Sequence, residues 1–168
     1  MNRIAMTALV AGGCLLALAA GAGSPSVSST GWDFAKWGMT PAQLRAASHG
    51  TVPVNNAGYD TMKGEYSMGK FKFDVQFDYI PPADDPGNQD PKFLKLNAVL
   101  LDMNANSGSC TDLTAYLTTA YGKPDRTFSA GPAGYLWSNK KIGDVQYSTW
   151  DKNKTCSVMY MPQGGHDR

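Results

Sequence analysis

From Phe71 to Tyr79 the chain alternates without a break. Phe71, Phe73, Val75, Phe77 and Tyr79 are apolar, and Lys72, Asp74, Gln76 and Asp78 between them are polar. A period of two is what a strand with one buried face requires. The residues before it should fold back as a hairpin over 61–80. With Met68-Gly69 as the turn, Tyr66 would face Phe71 and Met62 would face Val75 on the inner side. The outer side would pair Glu65 with Lys72 and Lys63 with Asp74, opposite charges landing opposite each other. After a Pro/Asp/Gly/Asn loop over 81–91, residues 93–103 read as a strand apolar on both faces, hence a central one. Three short strands over 134–138, 143–150 and 155–161, separated by polar turns, complete the β pattern.

Two segments carry the helical period instead. Thr40 can cap a helix whose first position suits Pro41, and Gln43 completes a Thr-x-x-Gln capping box. Met39 and Leu44 stand where a hydrophobic staple would join them, and Gly50 ends the turn. The second helix runs from about 111 to 121, with Cys110, Leu113, Leu117 and Ala120 or Tyr121 on one face. Gly122 and Pro124 stop it. The order is helix, three strands, helix, three strands. Short turns make neighbouring strands antiparallel. The expected fold is therefore α+β, two helix-plus-β-meander units forming an antiparallel sheet with helices on one face.

At the N-terminus, Arg3 is followed by an apolar run from Ile4 to Ala20, and Ala20-Gly21-Ala22 offers the small residues of a signal-peptidase site. Residues 1–22 read as a secretory signal peptide. The run is 17 residues and is diluted by Thr7, Gly12 and Gly13, where a membrane span wants roughly 20 apolar residues. No span is therefore expected after signal removal. Cys14 would leave with the signal; the alternative of a lipid anchor on it is disfavoured because Ala11-Gly12-Gly13 lacks the usual leucine. Residues 23–31, rich in Ser, read as a flexible linker. Residues 32–162 make one α+β domain, and 163–168 a disordered tail.

Removing the signal leaves 14 basic and 14 acidic residues. A chain with no net charge has no field to hold a nucleic-acid backbone. Two cysteines remain, Cys110 and Cys156. In the oxidising periplasm or outside a bacterial cell they should pair. Cys156 shares a strand face with Val158 and Tyr160, so the bond would staple the second helix across the last strand.

Catalytic constellations are sparse. His166 stands in the tail, and His49 ends the first helix, so a Ser/His/Asp triad or a zinc site would rest on His49 almost alone. Glu65 is the only glutamate, and Lys72 accounts for it. Asp74 and Asp78 share a strand face but stand ~13 Å apart, beyond the ~5–9.5 Å of glycosidase pairs. Asp84, Asp85 and Asp90 match no EF-hand spacing. Asn153-Lys154-Thr155 forms a glycosylation sequon, a chance match in a bacterial chain. No phosphate-cradling loop or Gly-x-Ser-x-Gly elbow occurs. No enzyme, metal or cofactor is expected.

The remaining functional signal is aromatic. Most rings follow the inner-face pattern and belong to the core. Trp150 differs, because it shares parity with Asp144, Gln146 and Ser148 on the polar side of its strand. Tyr135 and Trp137, on a neighbouring strand, could join it in an exposed cluster. Such a patch is what a protein-binding hot spot looks like.

Trp37-Gly38-Met39-Thr40-Pro41-Ala42-Gln43-Leu44 and the later Tyr121-Gly122-Lys123-Pro124 resemble a pattern of small exported bacterial proteins: Trp-Gly-Met-Ser/Thr before a short helix, then Tyr-Gly-x-Pro. The first stretch is similar to the helix-start motif of outer-membrane-assembly lipoproteins of the SmpA/OmlA type. The tandem layout resembles the β-lactamase-inhibitor fold. What the resemblance implies is binding of another protein without a catalytic site. The leading expectation is an exported, non-catalytic protein-binding module of the bacterial envelope, an inhibitor or an assembly accessory. Its partner would be an envelope or secreted protein. Two alternatives are a periplasmic small-molecule or lipid carrier, which needs an apolar pocket, and an enzyme with an unfamiliar site.

Overall fold

The computed structural model describes residues 27–53, 59–129, 132–152 and 154–165. The signal segment, Cys14, Asn153 of the sequon and His166 lie outside the described residues.

An eight-stranded antiparallel sheet forms the frame. Its strands are β4 (Tyr59–Thr61), β5 (Tyr66–Met68), β6 (Phe71–Ile80), β7 (Lys95–Met103), β8 (Arg126–Phe128), β9 (Ala133–Asn139), β10 (Gly143–Trp150) and β11 (Thr155–Met161). The lateral order is β4, β6, β7, β11, β10, β9, β8, with β5 also paired to β6 beyond the end of β4. Two helices, α1 (Pro41–Ala47) and α2 (Cys110–Tyr121), pack on one side. The fold is thus mixed α+β on an antiparallel sheet, as the periodicity requires.

The alternation along β6 is realised: Phe71, Phe73, Val75 and Phe77 are buried, and Tyr79, beyond a register shift, is half-buried. They meet Leu96, Val99 and Leu101 of β7, Val145 and Tyr147 of β10, and Val158 and Tyr160 of β11 in one core. Leu44 of α1 and Leu113 and Leu117 of α2 enter the same core, so both helices cover the inner face. The outer face carries the polar parity.

Local chemistry explains both helices. Thr40 Oγ1 accepts from Gln43 N–H while Gln43 Oε1 accepts from Thr40 N–H, closing the capping box. Ser109 caps α2 by accepting from Asp112 N–H. Gly122, at φ +86° and ψ −162°, takes a positive-φ extended conformation open to glycine that ends it, its N–H bonding the Thr118 carbonyl. Cys110 and Cys156 are disulfide-bonded with Cα atoms 5.8 Å apart, joining the first turn of α2 to β11. Tyr147 OH donates to the Cys110 carbonyl, so β10 holds the same turn. On the other side, the buried Asp60 carboxylate of β4 accepts from Arg45 Nη1 of α1 and from Tyr79 OH of β6. This triad ties α1 to the sheet edge, and burial together with the bond to Asp60 pushes the Tyr79 phenol well above its ordinary value.

The hairpin differs from expectation by one turn position. Met68 faces Phe71 and Tyr66 faces Phe73, so Gly69-Lys70 rather than Met68-Gly69 forms the turn. Gly69 has φ +60°, and a two-residue turn favours glycine first where φ must be positive. Glu65 still reaches Lys72 at 2.8 Å, and Met62 N–H still bonds Val75 O at 3.0 Å. Residues 63–65 take up the offset, and no Lys63–Asp74 ion pair forms among the described residues.

Four elements have no counterpart in the sequence reading: β8, and three short strands near the N-terminus. β1 (Val27–Ser28), β2 (Gly31–Trp32) and β3 (Ala35–Lys36) form a small antiparallel ribbon. Residues 27–31, expected within a linker over 23–31, are therefore structured. Ser29 N–H bonds Lys141 O, and Trp32 is completely buried against Tyr66, Phe77 and Tyr160. The ribbon thus packs Trp32 onto the inner face of the sheet beside α1. At the other end, Gly164 N–H donates to the buried carboxylate of Asp144, so the tail expected over 163–168 is anchored at least through Gly165.

Candidate functional site

The aromatic residues singled out by parity do not gather on one face. Trp137 is 2% exposed on the inner side. Its Nε1 donates to the Gly122 carbonyl at 2.8 Å, which secures the end of α2. Tyr135 is half-buried on the same side, stacked on Tyr147 and tilted against Trp137. Trp150 alone lies on the outer face, 41% exposed, paired across the ladder with Thr155. Parity placed Trp150 correctly. It could not orient Tyr135 and Trp137, because the intervening Leu136 is buried too.

The outer face nevertheless has other exposed apolar residues. Tyr59 (38%) pairs with Asp78 on that face, and Ile80 (37%) follows at the end of β6. Among the described residues, three of the four exposed large hydrophobic side chains thus share the face opposite the helices. The fourth, Phe93, belongs to the loop before β7 and lies under the Lys92 ammonium. Tyr59 on β4 and Trp150 on β10 stand four strand spacings apart across the sheet, roughly 19 Å, and about six residues apart along it, at diagonal corners of the face.

Between these corners the register builds two rungs. One runs Gln76, Leu100, Met159, Gln146 across β6, β7, β11 and β10, with Leu100 and Met159 half-buried at its centre. The next runs Asp74, Asp102, Ser157, Ser148. Asp74 and Asp102 are directly opposed, and like charges so placed destabilise a sheet. Asp78 follows on the same face, held by Gln76 Nε2 at 2.7 Å. Among the described residues no cation lies within ion-pair distance of Asp74, Asp78 or Asp102. Partial burial, and then the Asp74 and Asp78 charges, hold the Asp102 carboxyl above its ordinary value. By contrast Glu65, bonded by Lys72 and Asn104, is lowered.

Two further features were candidates. His49 is exposed at the end of α1 with φ +50°, and no acid, base or nucleophile is placed around it by any bond in the described structure. On the inner side, a groove of about 510 Å³ opens between α2 and β8–β10, lined by Thr111, Thr114, Thr127, Phe128, Tyr135 and Tyr147 among others, none of them charged. No three His, Cys, Asp or Glu side chains among the described residues are placed to hold a metal ion, and no described helix is long and apolar enough to cross a membrane.

Sequence reasoning could not find the Asp74–Asp102 pair. β6 and β7 are joined by a loop of irregular chain, so their register, with its shift beside Asp78, is set by packing and not by a turn. Comparison with protein-family models, curated proteins and solved structures finds no match for the chain.

Proposed function

We propose that this chain is an exported, non-catalytic protein-binding module of the bacterial envelope, periplasmic or secreted, that docks its partner on the outer face of the sheet. The observation that carries the reading is the placement of Tyr59, Ile80 and Trp150, all exposed on the face that neither helix covers. Large aromatic side chains at the edges of a flat patch, with a partly apolar centre at Leu100 and Met159, are the anatomy of a protein interface. The Cys110–Cys156 disulfide is compatible with an oxidising compartment. α1 with β4–β7 and α2 with β8–β11 read as two helix-plus-meander units, because each ends on a central strand and those strands, β7 and β11, pair antiparallel. That layout resembles the β-lactamase-inhibitor fold and supports an inhibitor or assembly-accessory role.

Photo-cross-linking tests it. A benzophenone side chain introduced at position 59, 100 or 150 should give one shared adduct in the cells that produce the protein. The same probe at Thr118, exposed on α2, should not. Equal adducts from 118 and 150, or none from the outer-face positions, would overturn the reading.

A second reading, a small-molecule or lipid carrier, is favoured by the groove beside α2, whose volume falls within the range of ligand sites. Saturable binding of the neutral dye N-phenyl-1-naphthylamine, abolished by Ala115→Trp, is its expected signature. Binding that survives the filled groove would count against it.

A further inference from the structure

We propose that the partner segment docking on the outer face presents an arginine or lysine that sits between Asp74 and Asp102, flanked by apolar side chains that meet Leu100 and Met159. This rests on the outer-face reading above and adds the chemistry of the partner.

The argument starts from the frustrated pair. Asp74 and Asp102 oppose each other across β6 and β7, in the close cross-strand geometry where opposite charges attract and like charges repel. Several surface charges are paired within the chain: Glu65 with Lys72, Lys70 with Asp112 and Lys92 with Asp90, each at 2.8–2.9 Å. Among the described residues the Asp74–Asp102 pair has no cation within ion-pair distance, the neighbouring Lys72 being engaged by Glu65, and Asp78 adds a third carboxylate four residues along β6. A guanidinium, planar with five donors, can bridge two carboxylates at once.

The acids do not stand alone. The adjacent rung places the apolar pair Leu100–Met159 beside them, and Tyr59 and Trp150 flank the same area. A partner strand or loop alternating basic and apolar residues matches this pattern in both charge and spacing. Electrostatic complementarity of this kind would speed encounter and select the partner.

The probe is acetyl-Arg-Val-Arg-Val-Arg-amide, titrated into the full mature chain and followed by backbone amide NMR, with the Glu-Val-Glu-Val-Glu peptide as control. The expected result is saturable shifts confined to outer-face positions of β6, β7 and β11, none with the acidic peptide, and affinity roughly fivefold weaker in Asp74→Asn/Asp102→Asn. The variant's free spectrum, unchanged away from these strands, certifies that it folds. Equal shifts from both peptides, or affinity indifferent to the double substitution, would overturn the basic partner while leaving outer-face docking intact. Shifts scattered over the surface, the same shifts from calcium chloride alone, or concentration-dependent shifts without peptide would each overturn it too, the last two in favour of a cation or a second copy. Outer-face docking itself falls only with the cross-linking experiment, so the two failures are separable.

Discussion

The two faces of one sheet differ in how completely the chain satisfies its own side chains. On the inner face most strong features meet a partner within the molecule, the buried indole N–H groups of Trp32 and Trp37 being exceptions. Asp60 has Arg45 and Tyr79, Trp137 has the Gly122 carbonyl, and Phe73 and Phe77 are fully covered. On the outer face the same sheet leaves Trp150 and Tyr59 exposed and sets Asp74 against Asp102 with no cation within ion-pair distance among the described residues. The contrast is what the proposed outer-face docking rests on.

Substitutions that break this contrast should differ by an order of magnitude in effect. Trp137→Ala removes a buried ring and its hydrogen bond and should destabilise by about 3–5 kcal/mol, read as a lower urea midpoint. Replacing both Cys110 and Cys156 by Ala opens a loop spanning 46 residues and should cost about 4 kcal/mol on the chain-entropy account. Differential scanning calorimetry of the oxidised and substituted chains measures that loss. Asp60→Ala strands Arg45, itself partly exposed, and should cost about 2–3 kcal/mol, with Tyr79 losing its acceptor as well.

Outer-face substitutions should behave in the opposite way. Asp102→Asn relieves the cross-strand repulsion and should stabilise the free protein by roughly 0.5–1 kcal/mol at neutral pH. Its pH dependence has a defined sign. Because the folded chain raises the Asp102 pKa, the native state takes up the proton first as pH falls. Wild-type stability is therefore recovered through the window from that raised value down to the ordinary carboxylate pKa of about 3.9. The advantage of Asp102→Asn should shrink across this window and vanish below it. Parallel urea titrations at several pH values show whether it does. Trp150→Ala should be the mildest, within about 0.5 kcal/mol.

Much of the inner face was legible from the sequence because one local signal sufficed for each part. The period-two run fixed which side of β6 is buried, the Thr40–Gln43 box fixed the start of α1, and Gly122 fixed the end of α2. Two cysteines in a small domain left one pairing. The ribbon of β1–β3 was not legible: strands of two residues carry no period, and the Ser-rich sequence just before Trp32 reads as linker until its pairing with the chain is seen. β8 was missed for the same reason, being three residues long. The outer face was half legible. Trp150 obeyed parity, but Tyr135 and Trp137 sit in a strand apolar on both sides, so alternation gave them no direction. The Asp74–Asp102 opposition depends on a register that no local signal encodes.

Hydroxyl-radical footprinting, comparing the protein in the intact envelope with the purified chain, tests the central claim most directly. The account predicts that oxidation of Tyr59, Met159 and Trp150 falls several-fold in the envelope, while exposed positions on α2 label equally in both samples. Identical labelling of the outer face in the two samples, or protection confined to the helical side, would contradict it.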